Sequence, residues 1–136
     1  ETGRDLIKKL DEKKIEYYLY PDLAMEHAIS VSDICFIGGD AILENNNSIV
    51  KTGTNIVTNI AKKNNCPVYV CAHSWKYDNK KQANTLLNYK FGEKNPTFIY
   101  EQLSSININS YITEHGIFKP EHVVEEIKYF NKWMRI

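Results

Sequence analysis

Two short runs of consecutive apolar residues, at positions 34–37 and 68–71, constrain the fold of this chain more than any other feature. Neither run alternates apolar with polar residues, which is typical of strands buried on both faces of a parallel sheet. Between them, residues 54–63 carry apolar side chains at helical spacing. A strand, a helix and a second strand in this order predict an α/β domain.

The rest of the chain continues the alternation of helices and strands. Apolar periodicity predicts helices at residues 4–14 and 23–29 and a helix from Pro120 towards Trp133, with Val123, Val124, Ile127 and Phe130 facing inward. Strands are expected at residues 15–20 and 111–113, and residues 41–43 and 49–50 should form a hairpin around an asparagine-rich turn. We therefore expect a mainly parallel sheet with helices on both faces. Residues 73–96 are polar and weakly periodic, so they read as a long functional or mobile connection.

Composition narrows the classes of function. A chain of 136 residues suits one domain, and its 17 basic and 17 acidic side chains cancel, so no overall charge favours nucleic acid. No apolar run is long enough for a membrane helix. The three cysteines suggest a reducing cytosol, and the four histidines show no zinc-like spacing with them, so we expect neither a metal nor a cofactor.

An anion site is predicted where the first buried strand ends. Gly39 and Asp40 follow that strand directly, and Lys51, Gly53 and Thr54 open the helix of residues 54–63. A cation, a glycine and a hydroxyl at a helix start are suited to binding phosphate. Two structural alternatives remain open: Asp40 could simply bond its own turn, and Thr54 could be a plain helix cap.

Two further segments could reach the same edge of the sheet. Lys76 follows the second buried strand and could pair with phosphate, while Trp75 or Tyr77 could stack on a ligand or pack under a loop. Glu114 ends the last predicted strand, where it could join Asp40 or serve only the turn.

Taken in order, these motifs resemble the C-terminal domain of the alpha, beta and delta regulatory subunits of translation initiation factor 2B. The same domain occurs in methylthioribose phosphate and ribose bisphosphate isomerases. Four segments of this chain match the family's motifs: Gly-Gly-Asp at 38–40, Lys-Thr-Gly-Thr at 51–54, His-Ser-Trp-Lys-Tyr at 73–77 and Ile-Thr-Glu-His-Gly at 112–116. The resemblance covers nearly the whole chain.

The resemblance implies one Rossmann-like, three-layer domain over residues 1–136, without the family's N-terminal helical domain. It also implies a cytoplasmic protein that forms homodimers or assembles with related subunits, with no direct contact to nucleic acid or membrane. A sugar phosphate or nucleotide would bind at the carboxyl ends of the strands, through Gly39, Asp40, Lys51, Gly53, Thr54 and Lys76.

Three roles are compatible with this resemblance. In the isomerases an aspartate at the position of Asp40 works with a cysteine from a segment upstream of this chain, and none of the three cysteines here aligns with it. Val50 also replaces an asparagine of the isomerase motif. A regulatory binding and dimerisation domain is therefore expected. The alternatives are the C-terminal part of an aldose–ketose isomerase with Asp40 as general acid or base, and a stand-alone interaction domain without a ligand.

Overall fold

The computed structural model describes residues 2–79, 83–88, 90–91 and 97–132. Five α-helices are formed: α1 Thr2–Glu12, α2 Met25–Ser30, α3 Thr54–Lys63, α4 Asn84–Leu87 and α5 Val123–Phe130. The strands are β1 Cys35–Gly38, β2 Ala41–Leu43, β3 Ser48–Lys51, β4 Val68–Cys71, β5 Tyr77–Asp78, β6 Lys90–Phe91, β7 Thr97–Phe98, β8 Tyr100–Leu103, β9 Ser110–Thr113 and β10 Gly116–Phe118. None of the helices described is long and apolar enough to cross a membrane.

The strands form two four-stranded sheets and one short ladder. In the first sheet, of order β1-β4-β9-β10, the first three strands are parallel and β10 returns antiparallel to β9. In the second sheet, of order β5-β2-β3-β8, only β2 and β5 are parallel. The strands β6 and β7 pair with each other. The first sheet places the carboxyl ends of β1, β4 and β9 side by side.

The main core is formed by the first sheet, the helices α2, α3 and α5 and buried residues of the second sheet such as Ile42 and Leu103. Val70 and Tyr111, from the centre of the sheet, are fully buried, and so are Ala61 of α3 and Ile127 of α5. The Tyr111 hydroxyl is satisfied inside this core, because it bonds the Ser48 hydroxyl at 2.9 Å and donates to a backbone carbonyl of the hairpin turn at 2.8 Å. Burial raises the pKa of Tyr111 to about 12.

Several predictions from the sequence are confirmed. The helix at residues 54–63 and the strand at residues 68–71 have the expected bounds, and residues 41–43 pair with β3 in an antiparallel hairpin. The α/β class, with helices on both sides of mixed sheets, is also confirmed. Parallel pairing, however, dominates only the first sheet, because the hairpin and β8 build the second sheet from antiparallel neighbours.

Other predictions are wrong. Residues 15–20 form no strand, because they find no partner for a ladder among the described residues. The run at residues 34–37 is not buried on both faces: β1 lies at the edge of its sheet, and Phe36 is 63% exposed. The final helix begins at Val123 rather than Pro120, and its Phe130 is exposed while Val123, Val124 and Ile127 are buried as predicted. Trp133 lies outside the described residues.

Candidate functional site

The carboxyl edge of the first sheet is shaped by a close approach of β1 and β4. Beyond β1, the N–H of Gly39 donates to the carbonyl of Cys71 at 2.9 Å. A Cβ atom on Gly39 would lie 3.0 Å from carbons of both Ala72 and Val70, so a side chain at this position would collide with its neighbours. The glycine therefore holds the start of the Asp40 turn directly against β4.

Asp40 and Lys51 meet at this edge because they flank the hairpin of β2 and β3. The Nζ atom of Lys51 lies 3.9 Å from Oδ1 of Asp40 and 3.8 Å from the centre of the Tyr100 ring on β8. The Asp40 side chain is 29% exposed and that of Lys51 57%. The pair is therefore open to solvent, while the aromatic ring fixes the position of the cation.

The first turn of α3 begins directly beyond Lys51. Gly53 occupies the left-handed region with φ 98°, which a glycine adopts without strain. The Thr54 hydroxyl donates to the carbonyl of Lys51 at 2.6 Å instead of pointing outward. The N–H of Asn55 donates to Oε1 of Glu101 at 2.7 Å, so a carboxylate of this chain already occupies the start of the helix.

Lys76 joins the same edge from the segment after β4. Its Nζ donates to the carbonyl of Gly39 at 2.7 Å, one residue from Asp40. An open cavity of about 340 Å³ lies beside it, and its lining includes Cys71 and Glu114. Burial raises the pKa of the Cys71 thiol, so this cysteine is protonated at neutral pH.

The aromatic neighbours of Lys76 have different environments. Trp75 is 67% exposed and contacts the His73 ring edge to face, so it remains available to a ligand or partner. Tyr77 is buried in β5 and bonds the carboxylate of Glu44, which makes it a packing residue. Packing is thus observed for Tyr77, while stacking of Trp75 on a ligand or partner stays a prediction.

Glu114 serves a buried polar network rather than the Asp40 site. It accepts the N–H of Ser74 at 2.9 Å and also the Ser74 hydroxyl, and its Oε1 lies 3.1 Å from Nδ1 of His73. The amide of Asn131, just after α5, donates to the same hydroxyl at 3.0 Å. Because Ser74 and Asn131 are both buried, this network joins the ends of β4 and β9 to α5.

The Ser74 network does not have the geometry of a catalytic triad. Ser74 Oγ and Glu114 Oε1 both lie 3.4 Å from the same ring nitrogen, Nε2 of His115. A triad needs the acid and the serine on opposite nitrogens of the histidine.

The electrostatics of Glu114 favour its charged form. Burial alone would raise the pKa of this carboxyl, but the hydrogen bonds from the Ser74 hydroxyl and backbone and the nearby His73 hold it below its usual value. Glu114 is therefore an ionised acceptor at neutral pH.

The structure brings together the residues predicted to bind phosphate, but it also gives their polar groups partners within the chain. Gly39, Asp40, Lys51, Gly53, Thr54 and Lys76 all lie at the carboxyl edge. Glu101, Ser74 and Asn131 were not predicted, because each contact depends on strands or helices far apart in sequence. Glu101 could have been predicted only as an acidic residue on a strand that pairs with β3. Residues 97–103 were not predicted to form a strand.

Elsewhere the described part of the chain offers weaker candidates. A cavity of about 300 Å³ lies at the opposite end of the first sheet, between Cys66 before β4 and Asn109 before β9, and contains none of the predicted site residues. No group of three or more histidine, cysteine, aspartate or glutamate residues suited to a metal ion occurs in the described ranges.

Comparison with known proteins places these features in a family. Two curated relatives are translation initiation factor eIF2B subunit delta from Schizosaccharomyces pombe, 25% identical over 126 residues, and the same subunit from Dictyostelium discoideum, 28% identical over 103 residues. The matches cover 93% and 74% of this chain but only 26% and 16% of the relatives. The chain thus spans about a quarter of the length of the first relative and about a sixth of the second.

Solved structures show the same fold. The Pyrococcus horikoshii translation initiation factor eIF-2B superposes with a TM-score of 0.76 at 23% identity, covering 87% of this chain and 45% of the other. Subunit delta from A. fulgidus gives 0.75 at 22%, with 88% and 41% covered. 5-Methylthioribose 1-phosphate isomerase from P. horikoshii gives 0.63 at 16%, with 82% and 37% covered. The sequence profile of the Initiation factor 2 subunit family matches residues 1–120, and the chain therefore belongs to that family.

Proposed function

We propose that this chain is a regulatory-subunit-like domain of initiation factor 2B that dimerises or assembles with related subunits and binds a phosphorylated sugar or nucleotide. The curated relatives are themselves named as delta subunits, which supports an assembly role. We further propose that residues 1–136 act as one Rossmann-like domain, since their main core combines α2, α3 and α5 with the first sheet.

The ligand part of the proposal depends on the solvent-open pair of Asp40 and Lys51. A carboxylate can accept hydrogen bonds from the hydroxyls of a sugar, and a lysine beside it can bind phosphate as a point charge. Lys76 adds a second cation, because its Nζ bonds the carbonyl of Gly39, the residue before Asp40. Open α/β sheets bind their ligands at the carboxyl edge, which is where Asp40, Lys51 and Lys76 lie.

Replacing Lys51 with alanine tests the proposed ligand site. We expect ribose bisphosphate or adenosine monophosphate to raise the melting temperature of the unmodified chain, and Lys51→Ala to lose most of that increase because the phosphate loses its cation. Dimerisation and capture of related subunits should not change. Lys62→Ala, on the exposed part of α3, is the matched control. If neither ligand binds the unmodified chain and no subunit is captured, the proposal is wrong.

The isomerase alternative is favoured by one observation, the presence of Asp40 beside Lys51 at the ligand edge. A general acid or base could act there if a thiolate faced it. Cys71 is the cysteine at this edge, but its raised pKa leaves it a thiol, and it lines the cavity beside Lys76.

Catalysis can be tested directly on ribose bisphosphate. We expect NMR to detect no aldose–ketose conversion by this chain alone, because its cysteine at the edge is not ionised. Aldose–ketose conversion that is lost in Asp40→Asn but kept in the control Asp22→Asn would favour the isomerase instead. Asp22 is an exposed aspartate outside the candidate site.

A further inference from the structure

Glu101 holds an unusual position for a residue of an edge strand. It lies on β8, the outer strand of the second sheet, opposite Val50 and therefore next to Lys51 across the ladder. From there its Oε1 reaches the N–H of Asn55 in the first turn of α3, at 2.7 Å. The Asn55 side chain fastens the same strand by donating to the carbonyl of Gln102 at 3.1 Å.

The position that Glu101 occupies is the one that suits an anion best. The first N–H groups of a helix have no partner within the helix and carry its positive dipole end. In α3 the N–H groups of Ile56 and Val57 bond back to the carbonyl of Gly53, and that of Asn55 is taken by Glu101. A ligand phosphate could therefore reach the N–H of Asn55 only by displacing the Glu101 carboxylate.

The charges around the edge lead to the same conclusion. When Glu114, which belongs to the Ser74 network, is left aside, Lys51 and Lys76 bring two positive charges and Asp40 and Glu101 two negative charges, so the formal sum of these four is zero. A phosphate with two negative charges meets a neutral site here, although two lysines are present. Without Glu101 the same site would carry one net positive charge.

On the basis of the proposed function, we infer that Glu101 is a specificity-determining residue that excludes phosphate from the start of α3. The ligand then binds through hydroxyls at Asp40 and through one anionic group at the lysines. Compounds that need the helix N-terminus as well, above all free phosphate, bind weakly. Glu101 acts as an internal competitor for them.

The inference is tested with Glu101→Gln and inorganic phosphate. Glutamine keeps an oxygen that can accept the Asn55 N–H, so α3 should remain capped while the charge is removed. We expect calorimetry to show that phosphate binds roughly tenfold more tightly, the size expected when one charge is removed at short range from a dianion near solvent. The exposed Glu121→Gln is the matched control, because it changes net charge equally but lies outside the site.

The outcomes separate this inference from the proposed function. A gain that disappears in Lys51→Ala/Glu101→Gln supports the inference, because the phosphate then depends on the lysine as well. The inference is overturned if Glu101→Gln and the unmodified chain bind phosphate with equal affinity, or if neither binds it measurably. Ribose bisphosphate binding to the unmodified chain would still stand in that case, so the proposed ligand site can survive when the role of Glu101 does not.

Discussion

Gly39→Ala is expected to lower the free energy of unfolding by about 2 kcal/mol, the usual range for overpacking a tight contact. The new methyl group would lie 3.0 Å from carbons of both Val70 and Ala72, so β1 and β4 must separate at their carboxyl ends. The carbonyl that binds Lys76 and the turn that carries Asp40 would move with them. Urea unfolding measures the loss of stability, and calorimetry with ribose bisphosphate measures the effect on binding.

Gly38→Ala is the matched control for that substitution. Gly38 is the preceding residue, and a Cβ atom there meets nothing within 4 Å. We expect its stability to equal or slightly exceed that of the unmodified chain, since alanine loses less backbone entropy than glycine in a strand. If both substitutions lowered the free energy of unfolding equally, the loss would come from a side chain in the strand itself and not from the contact with β4.

Glu114→Ala is expected to cost about 2–3 kcal/mol of stability at neutral pH, the usual penalty when a buried polar group loses its partner. The substitution removes the acceptor for both the N–H and the hydroxyl of Ser74, whose side chain has no exposure to water. The Asn131 NH2 group remains as a donor but cannot accept the serine proton, and Nε2 of His115, 3.4 Å away, offers only a long contact. Thermal and urea unfolding both report this change.

The penalty for Glu114→Ala should depend on pH in one direction. The folded chain holds the pKa of Glu114 below its ordinary value of 4.5, so ionised Glu114 stabilises the fold above that pH. This contribution is lost as the pH falls through the lower, folded pKa. The difference between the unmodified chain and Glu114→Ala should therefore shrink below about pH 4.5. A constant difference down to the acid limit would contradict the charged role, and the exposed Glu121→Ala is the matched control.

Elements with strong local signals could be predicted from the sequence. The helix α3 has its apolar face, its left-handed Gly53 and its flanking proline-led strand within twenty residues, and its bounds are as expected. The hairpin of β2 and β3 follows from one cluster of turn residues between two apolar runs. In both cases neighbouring residues carry the information.

Elements that depend on distant partners could not be predicted. Residues 15–20 have the composition of a strand, but a strand exists only through bonds to a neighbour, and the described chain supplies none. Phe36 belongs to an apolar run, yet its exposure is decided by its place at the edge of the sheet. β10 follows β9 after a two-residue turn, and no apolar run long enough to predict a separate strand marks residues 116–118.

The candidate site shows the same division. Asp40, Lys51 and Lys76 could be predicted as site residues because each follows a predicted strand. In the structure they lie at one edge of the sheet. Two further contacts at this edge come from β8, which pairs with β3 about fifty residues away in sequence: the Tyr100 ring beside Lys51 and the Glu101 carboxylate at Asn55. No local sequence pattern reveals the contact between Glu101 and the N–H of Asn55.

The edge position of β1 has a consequence for handling the isolated chain. Among the described strands β1 pairs with β4 alone, and its Phe36 ring is exposed. The four residues of β1 include no lysine or proline, which commonly prevent pairing at an edge strand. Such an edge is a template for intermolecular strand pairing. With a formal net charge of zero, copies of the chain repel one another little. We therefore expect association of copies at high concentration to begin at this four-residue strand.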